Sequence, residues 1–285
     1  MKINCISPQD SPFTKVLGNI AKPPKSLFFI GKLPEKRVPT VAIVGTRKPT
    51  RYGTEVTLRL ASELATRGVI IVSGLALGVD ALAHKATLDA GGTTLAVLAN
   101  ALPGIQPSTN RDLADTILRS DGAIICEHEN DDKFGSWSFL ERNRIVAGLA
   151  DAIIITEAAS RSGTLNTAAH ALEQGKEVFV VPGNITSPMS IGCNQLLKQG
   201  ARIVTCAEDV LEVIAPDLLQ PQATLALGST PLETEVIKLL QVGVRDGDEI
   251  QSTIGCSATD LSVALTMLEI NGAIRALGAN QWTLR

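Results

Sequence analysis

From Val41 onward, apolar runs of strand length alternate with stretches of helical period. The run VAIVG at 41–45 precedes a stretch from Gly53 to Arg67 that sets Val56, Leu60 and Leu64 on one face, and VIIVSG at 69–74 follows directly. The pattern then predicts a helix near 80–90, a strand at 93–98, a helix near 110–119 and a strand at 123–127. A helix at about 141–149, a strand at 152–156, a helix at about 163–174 and a strand at 177–183 complete it. These strands are apolar at successive rather than alternate positions, so both of their faces must be covered, which is the condition of parallel strands between layers of helices. Residues 39–216 therefore read as an α/β domain with an open, doubly wound sheet, and residues 1–38 as an arm ahead of it.

Past Ile214 the period disappears. The stretch APDLLQPQATLALGST carries two prolines, and residues 217–228 read as a linker. From 229 to 285 three short helical patterns, at 231–241, 247–254 and 258–271, are followed by two β-prone pieces either side of Gly278, Ala279 and Asn280. Three helices and a hairpin in this order predict a small winged-helix domain. It holds seven acids against four bases, and the helix expected to read a DNA groove, 258–271, has neither Lys nor Arg. Such a helix has no cation to offer phosphates, so the tail reads as a protein contact rather than a DNA contact.

Composition narrows the class. At 285 residues, with 45% apolar side chains but only 3% aromatic, the interior must be built from Val, Ile, Leu and Ala. The 26 bases and 29 acids leave a net charge of −3, so no global field draws the chain to a polyanion or a membrane, and any polyanion site must be a local basic patch. The five cysteines, at 5, 126, 193, 206 and 256, form no C-x-x-C pair. That excludes a disulfide framework and a structural zinc, and points to the reduced cytoplasm. The run from Leu27 to Ile30 is too short for a signal segment or a membrane span.

In an open α/β sheet, ligands bind beyond the carboxyl ends of the strands. The first such loop, GTRKPTRYG at 45–53, offers Gly45, Thr46, Arg47, Lys48 and Arg51; the second, SGLALGVD at 73–80, offers Ser73 and Gly74. Neither is a G-x-G-x-x-G, and no G-x-x-x-x-G-K-[ST] occurs, so dinucleotide and Walker-type sites find no support. Both loops still lead into helix N-termini, where free N–H groups and the dipole favour an anion. Ahead of the 141–149 helix, WSFLERNR sets Trp137 and Phe139 beside Arg142, Asn143 and Arg144, and RSGT at 161–164 adds Arg161, Ser162, Gly163 and Thr164 at another glycine turn. Gathered on one rim, these loops would form a basic groove with stacking platforms, which is what single-stranded nucleic acid requires.

Each residue also has a plainer reading. A single loop arginine is ordinarily a solvated charge, Trp137 and Phe139 suit a core or lid equally well, and the glycines can be turn requirements. His84, His128 and His170 read as structural. Glu127, His128 and Glu129 lack a partner set at metal-ligand spacing, so neither a metal nor a cofactor is expected.

The strings VAIVGTRKPTRYG, VSGLALGVDALAHKATLDAGGTTLAVLANAL, SFLERNRIVAGLADAIIITEAASRSGTLNTAAHALEQGKEVFVVPG and GCNQLLKQGA, in this order over residues 22–210, resemble the DNA processing protein A family, also called DprA or Smf. The resemblance implies a Rossmann-like homodimer that binds single-stranded DNA and loads the RecA recombinase onto it during natural transformation, without substrate turnover. A single-stranded DNA-binding protein would be a further partner. By motif it places Gly45, Thr46, Arg47, Ser73, Gly74, Arg142, Asn143 and Arg144 in the DNA pocket, with Ser162, Gly163 and Thr164 at the family's S-G-[ST] turn. This chain departs from the pattern at Leu77, where members often carry a base, and before R-N-R, where the usual Phe-Pro pair is Phe139-Leu140 with Glu141 next. The N-terminal helical module of many relatives would be absent or reduced here.

Two other functions fit the same loops. A phosphoribohydrolase-like enzyme would need paired acids after the glycine–threonine turn, and here Leu165, Asn166 and Thr167 stand there; Glu157 alone reads as a hydrogen-bonding residue that shapes the rim. A mononucleotide sensor would use the loops without extending along a strand.

Overall fold

The computed structural model describes residues 2–132, 134–219, 230–278 and 280–284, with the side chain of Gln241 left aside. The chain divides into two compact units, Met1–Leu218 and Leu219–Arg285. Most of the linker expected at 217–228 lies outside the described residues.

The first unit runs β1 (Asn4–Ile6), β2 (Leu27–Gly31), β3 (Thr40–Val44), α1 (Arg51–Thr66), β4 (Ile70–Ser73), α2 (Val79–Asp89), β5 (Thr94–Leu98), α3 (Arg111–Arg119), β6 (Ala123–Cys126) and α4 (Ser136–Leu149). It continues through β7 (Ala152–Ile155), α5 (Gly163–Glu173), β8 (Glu177–Val180), α6 (Ile191–Lys198), β9 (Arg202–Ile203) and α7 (Ala207–Ile214). The strands form one nine-stranded sheet in the order β1-β2-β6-β5-β4-β3-β7-β8-β9. From β6 to β9 all neighbours are parallel, and β1 and β2 are antiparallel additions at one edge. Both faces are covered: along β5, Leu95 and Val97 join one apolar core with residues of α4 and α5, and Ala96 and Leu98 join another with residues of α3. The chain winds outward from β3 to β6 and returns to β7 on the other side of β3, so the direction of winding reverses between β3 and β7. A crevice between the loops that follow these two strands is where such a sheet takes a ligand.

Two expectations change. The first 38 residues, expected as an arm, supply β1 and β2; β2 pairs with β6 in register Phe29↔Ile125 and builds Leu27 and Ile30 into the cores. The helix expected at 141–149 begins at Ser136, so Trp137, Phe139 and the R-N-R motif all lie on α4. With 3.6 residues per turn, positions two apart diverge by about 200°, and neighbouring aromatics and arginines are sent to opposite sides of the helix.

The second unit contains α8 (Pro231–Gln241), α9 (Gly247–Ile254), α10 (Ala258–Ile270) and the hairpin β10 (Ile274–Gly278) and β11 (Gln281–Leu284). Its own core gathers Val236, Ile237, Leu240, Ile250, Leu261, Leu265, Leu268 and Ile274. Val263, Met267 and Ile270, one exposed stripe of α10, stay outside that core.

Candidate functional site

Three segments meet at the reversal point. The loop after β3, the loop after β7 and the first turns of α4 enclose a groove of about 470 Å³. Its walls include Gly45, Thr46 and Arg47 from the first loop, Arg161, Ser162, Gly163 and Thr164 from the second, and Phe139, Leu140, Arg142 and Asn143 from α4. Arg47 is exposed and stands over the Phe139 ring, its Cζ 5.4 Å from the centroid. Phe134 meets the same ring edge-on at 5.6 Å. A guanidinium already over an aromatic face makes a paired platform for a base and its phosphate.

The groove opens on the N-terminus of α5. Ser162 caps that helix, its Oγ accepting from the Thr164 amide at 3.2 Å, and Gly163 is exposed beside it. An anion lying here is favoured by the helix dipole, with Arg161 and Arg47 exposed nearby.

The two glycine loops expected to offer free N–H groups have filled them internally. Glu157, buried after β7, accepts from the Thr50 amide at 2.8 Å and from the Thr50 hydroxyl at 2.6 Å, at the start of α1. Gly53 permits this, since a Cβ there would sit 2.2 Å from the carboxylate. Asp80 accepts from the amides of Gly74 and Ala76 at 3.0 and 3.3 Å, closing the second loop. The loops are also held to each other: the Val79 amide donates to the Thr46 carbonyl at 3.2 Å, and Gly78, at φ +77°, leaves no room for a Cβ beside the Thr46 and Arg47 backbone. Glu157 thus does what the sequence reading expected of it, and the amides of Thr50, Gly74 and Ala76 are already taken.

The expected residues separate accordingly. Ser73 is buried and donates to the Ile43 carbonyl at 2.7 Å. Arg142 touches the groove but is 7% exposed, and its Nη1 donates to the Gly74 carbonyl at 2.7 Å and to the Val97 carbonyl. Gly74 makes this possible, because a Cβ would fall 2.4 Å from that guanidinium. Burial pushes the Arg142 guanidinium down and the Asp80 carboxyl up from their usual values, each opposed by the other's charge. Arg144 leaves the groove altogether, turning to the far side of α4 to pair with both oxygens of Glu127 at 2.6 Å. Lys48 and Arg51 are exposed on the first loop and at the start of α1, outside the groove wall. The expectation of one groove lined by all these cations therefore reduces to Arg47 and Arg161 as its exposed cations, with Arg142 as an internal brace. Val44, Ala76, Asp80, Leu140, Ala159 and Thr167, which the sequence reading does not select, complete the wall; of these only Asp80, a charge in an otherwise apolar stretch, carries a signal.

His84 is fully buried, its Nδ1 2.6 Å from the Thr94 hydroxyl, and burial lowers its pKa to about 3. It is a neutral core residue. Among the described residues no cluster of three His, Cys, Asp or Glu side chains is placed to hold a metal, and no helix is long and apolar enough to cross a membrane.

The family model for DNA recombination-mediator protein A matches residues 4–215, and one for the DprA winged helix domain matches 220–280. DNA processing protein DprA of Bacillus subtilis (strain 168) is 40% identical over 208 residues, 73% of this chain and 69% of that protein. Protein Smf of Escherichia coli (strain K12) is 44% identical over 189 residues, which cover 66% of this chain and half, 50%, of that protein. Among solved structures, DNA processing protein A of Streptococcus pneumoniae superposes with a TM-score of 0.70 at 36% identity, covering 75% of each chain. DNA processing protein A of Helicobacter pylori, whose structure was described for its single-stranded DNA binding mode, gives 0.67 at 33% identity, covering 76% of this chain and 97% of that one.

Proposed function

The chain belongs to the DNA recombination-mediator protein A family, and on that premise we propose that it binds single-stranded DNA in the groove between the β3 and β7 loops and delivers the strand to a RecA recombinase. The observation that carries this reading is the Arg47–Phe139 pair facing the capped N-terminus of α5. Phosphates lie against Arg47, Arg161 and the exposed start of α5 at Gly163, bases lie on Phe139, and Asn143 supplies a polar edge. Lys48 and Arg51 add long-range attraction from outside. Ser73, Gly74, Arg142 and Asp80 hold the loops in place. Stacking and phosphate contacts are common to every base, so sequence preference is weak.

The protein acts without turnover. The two buried acids nearest the groove, Asp80 and Glu157, are committed to backbone amides, which supports a binding role over a phosphoribohydrolase-like one. Its setting is natural transformation in the cytoplasm. We further propose a homodimer, supported by the exposed Ile185, Ile191 and Ile203 near the β9 edge of the sheet. The winged-helix domain takes a protein partner, RecA or a single-stranded DNA-binding protein, through the uncharged stripe of Val263, Met267 and Ile270.

Binding of oligo-dT of increasing length is the test. Affinity that rises with length and exceeds that for duplex at the same salt is expected. Saturation by a single nucleotide would favour the sensor reading, and release of free base from nucleoside monophosphates would favour the hydrolase.

A further inference from the structure

On the opposite side of α4 lies a second cleft of about 450 Å³, walled by Ile20–Lys22, by α4 residues and by Asn166, His170 and Gln174 of and beyond α5. Leu140 belongs to the walls of both this cleft and the groove, so the two are neighbours across one side chain. Trp137 is 49% exposed within it, a large aromatic surface left to solvent on the first turn of a helix. Two further side chains in the wall have unmet hydrogen-bonding capacity. Arg144, buried and paired to Glu127 through Nη2, keeps Nε and Nη1 without an acceptor among the described residues. Gln174, whose amide donates to the Arg144 carbonyl at 3.1 Å, keeps a buried Oε1 without a donor. These atoms are closed to solvent, so what the cleft presents to a ligand is the exposed Trp137 ring beside Leu140.

Lys22 supplies an exposed base. It belongs to residues 1–38, which hold two acids against seven bases, of which Lys32 and Arg37 pair with Asp121 and Asp151 elsewhere. Glu141 and Glu173 also belong to the wall and would repel a phosphate, so the strand's backbone is directed toward Lys22 while the base turns inward.

We infer that this cleft is a second nucleobase subsite, which receives the strand after it leaves the main groove over Leu140, stacks a base on Trp137 and holds the adjoining phosphate with Lys22. The inference rests on the proposed DNA reading and gives the strand its path across α4. It makes the basic N-terminal segment part of the binding surface.

The chain has only two tryptophans, Trp137 and Trp282, so a Trp282→Phe background isolates the emission of Trp137. Titration with oligo-dT of roughly 4 to 16 nucleotides should leave that emission unchanged for strands filling only the groove and quench it once they are long enough to cross Leu140. Trp137→Ala should weaken long strands by roughly five- to a hundredfold, the loss of one base–aromatic stack, and short strands little. Trp137→Phe should recover part of the loss. Lys22→Ala should flatten the slope of log K against log salt by about 0.7 for long strands only. Unchanged emission at saturation, with Trp137→Ala and Lys22→Ala binding every length as the parent does, overturns the subsite while leaving the main groove intact. Failure of the unmodified chain to bind any of these strands removes the DNA reading and the subsite together.

Discussion

Replacing Arg142 by Met tests whether this arginine braces the site or binds the ligand. The substitution preserves most of the buried volume and removes the charge and all donors. It strands the Gly74 and Val97 carbonyls, which Arg142 serves, and leaves the buried Asp80 carboxylate without the opposing charge. A buried carbonyl without a donor costs about 1–3 kcal/mol, so the two together cost roughly 2–6 kcal/mol, and Asp80, which is not ion-paired with Arg142, loses a weaker electrostatic support. The effects overlap because the same guanidinium is lost, so a net destabilisation of about 3–5 kcal/mol, the middle of that range, is expected. For a unit of this size each kcal/mol lowers Tm by about 2–4 °C, which gives a drop of roughly 6–20 °C. Thermal and urea unfolding measure it directly. Below the transition, the salt dependence of oligo-dT binding should keep its slope, since no phosphate contact is removed. A mutant melting within about 2 °C of the parent, with a flatter salt slope, would refute the argument and make Arg142 a phosphate ligand.

The neighbouring arginine should behave in the opposite way: Arg47→Ala should weaken all single strands alike and flatten the salt slope by about 0.7, with a stability change under about 0.5 kcal/mol because the side chain is exposed. His84 carries a pH dependence. Its pKa is about 3 in the fold against 6.5 for the free side chain, so the unfolded chain binds the extra proton between these values, and stability falls as pH drops below 6.5. Urea unfolding at pH 7 and pH 5 should show His84→Gln losing about 2 kcal/mol less than the parent over that interval; equal losses would mean that His84 protonates freely in the folded state. Ending the chain at Leu218, where the first compact unit closes, should leave most DNA affinity in place and alter protein contacts, as judged by titration and by RecA assembly on the strand. A large loss of affinity in a folded truncation would assign DNA contacts to the winged-helix domain.

The parallel sheet was legible because each of its central strands is an almost wholly apolar run, and the second unit was legible because α8, α9 and α10 are short, capped and separated by clear turns. The edge strands were not. Asn4–Ile6 is too short to show a period, and Leu27–Gly31 has no helix partner beside it in sequence; both are strands because β6 and β2 offer an edge to pair with. At the site, Gly45, Thr46, Arg47 and the turn at 161–164 line the groove from the loops in which the sequence places them, while Phe139 and Asn143 reach it from α4. Arg142 and Arg144 look equivalent in R-N-R, and what separates them is the partner each meets across the helix, the Gly74 and Val97 carbonyls for Arg142 and Glu127 for Arg144. Likewise nothing in the local sequence says that the Thr50 amide of the first glycine loop is already taken, because its acceptor, Glu157, is 107 residues away.

Those internal acceptors bear on how the protein fares in a cell crowded with free nucleotides. In a doubly wound sheet the diphosphate of a small cofactor docks on the helix that follows the first strand of the motif. Here Glu157 sits at that place as a tethered substitute, present at an effective concentration no diffusing metabolite matches. A phosphate approaching the start of α1 would therefore compete with an acceptor already in place at Thr50, whereas the groove beside it opens on the start of α5.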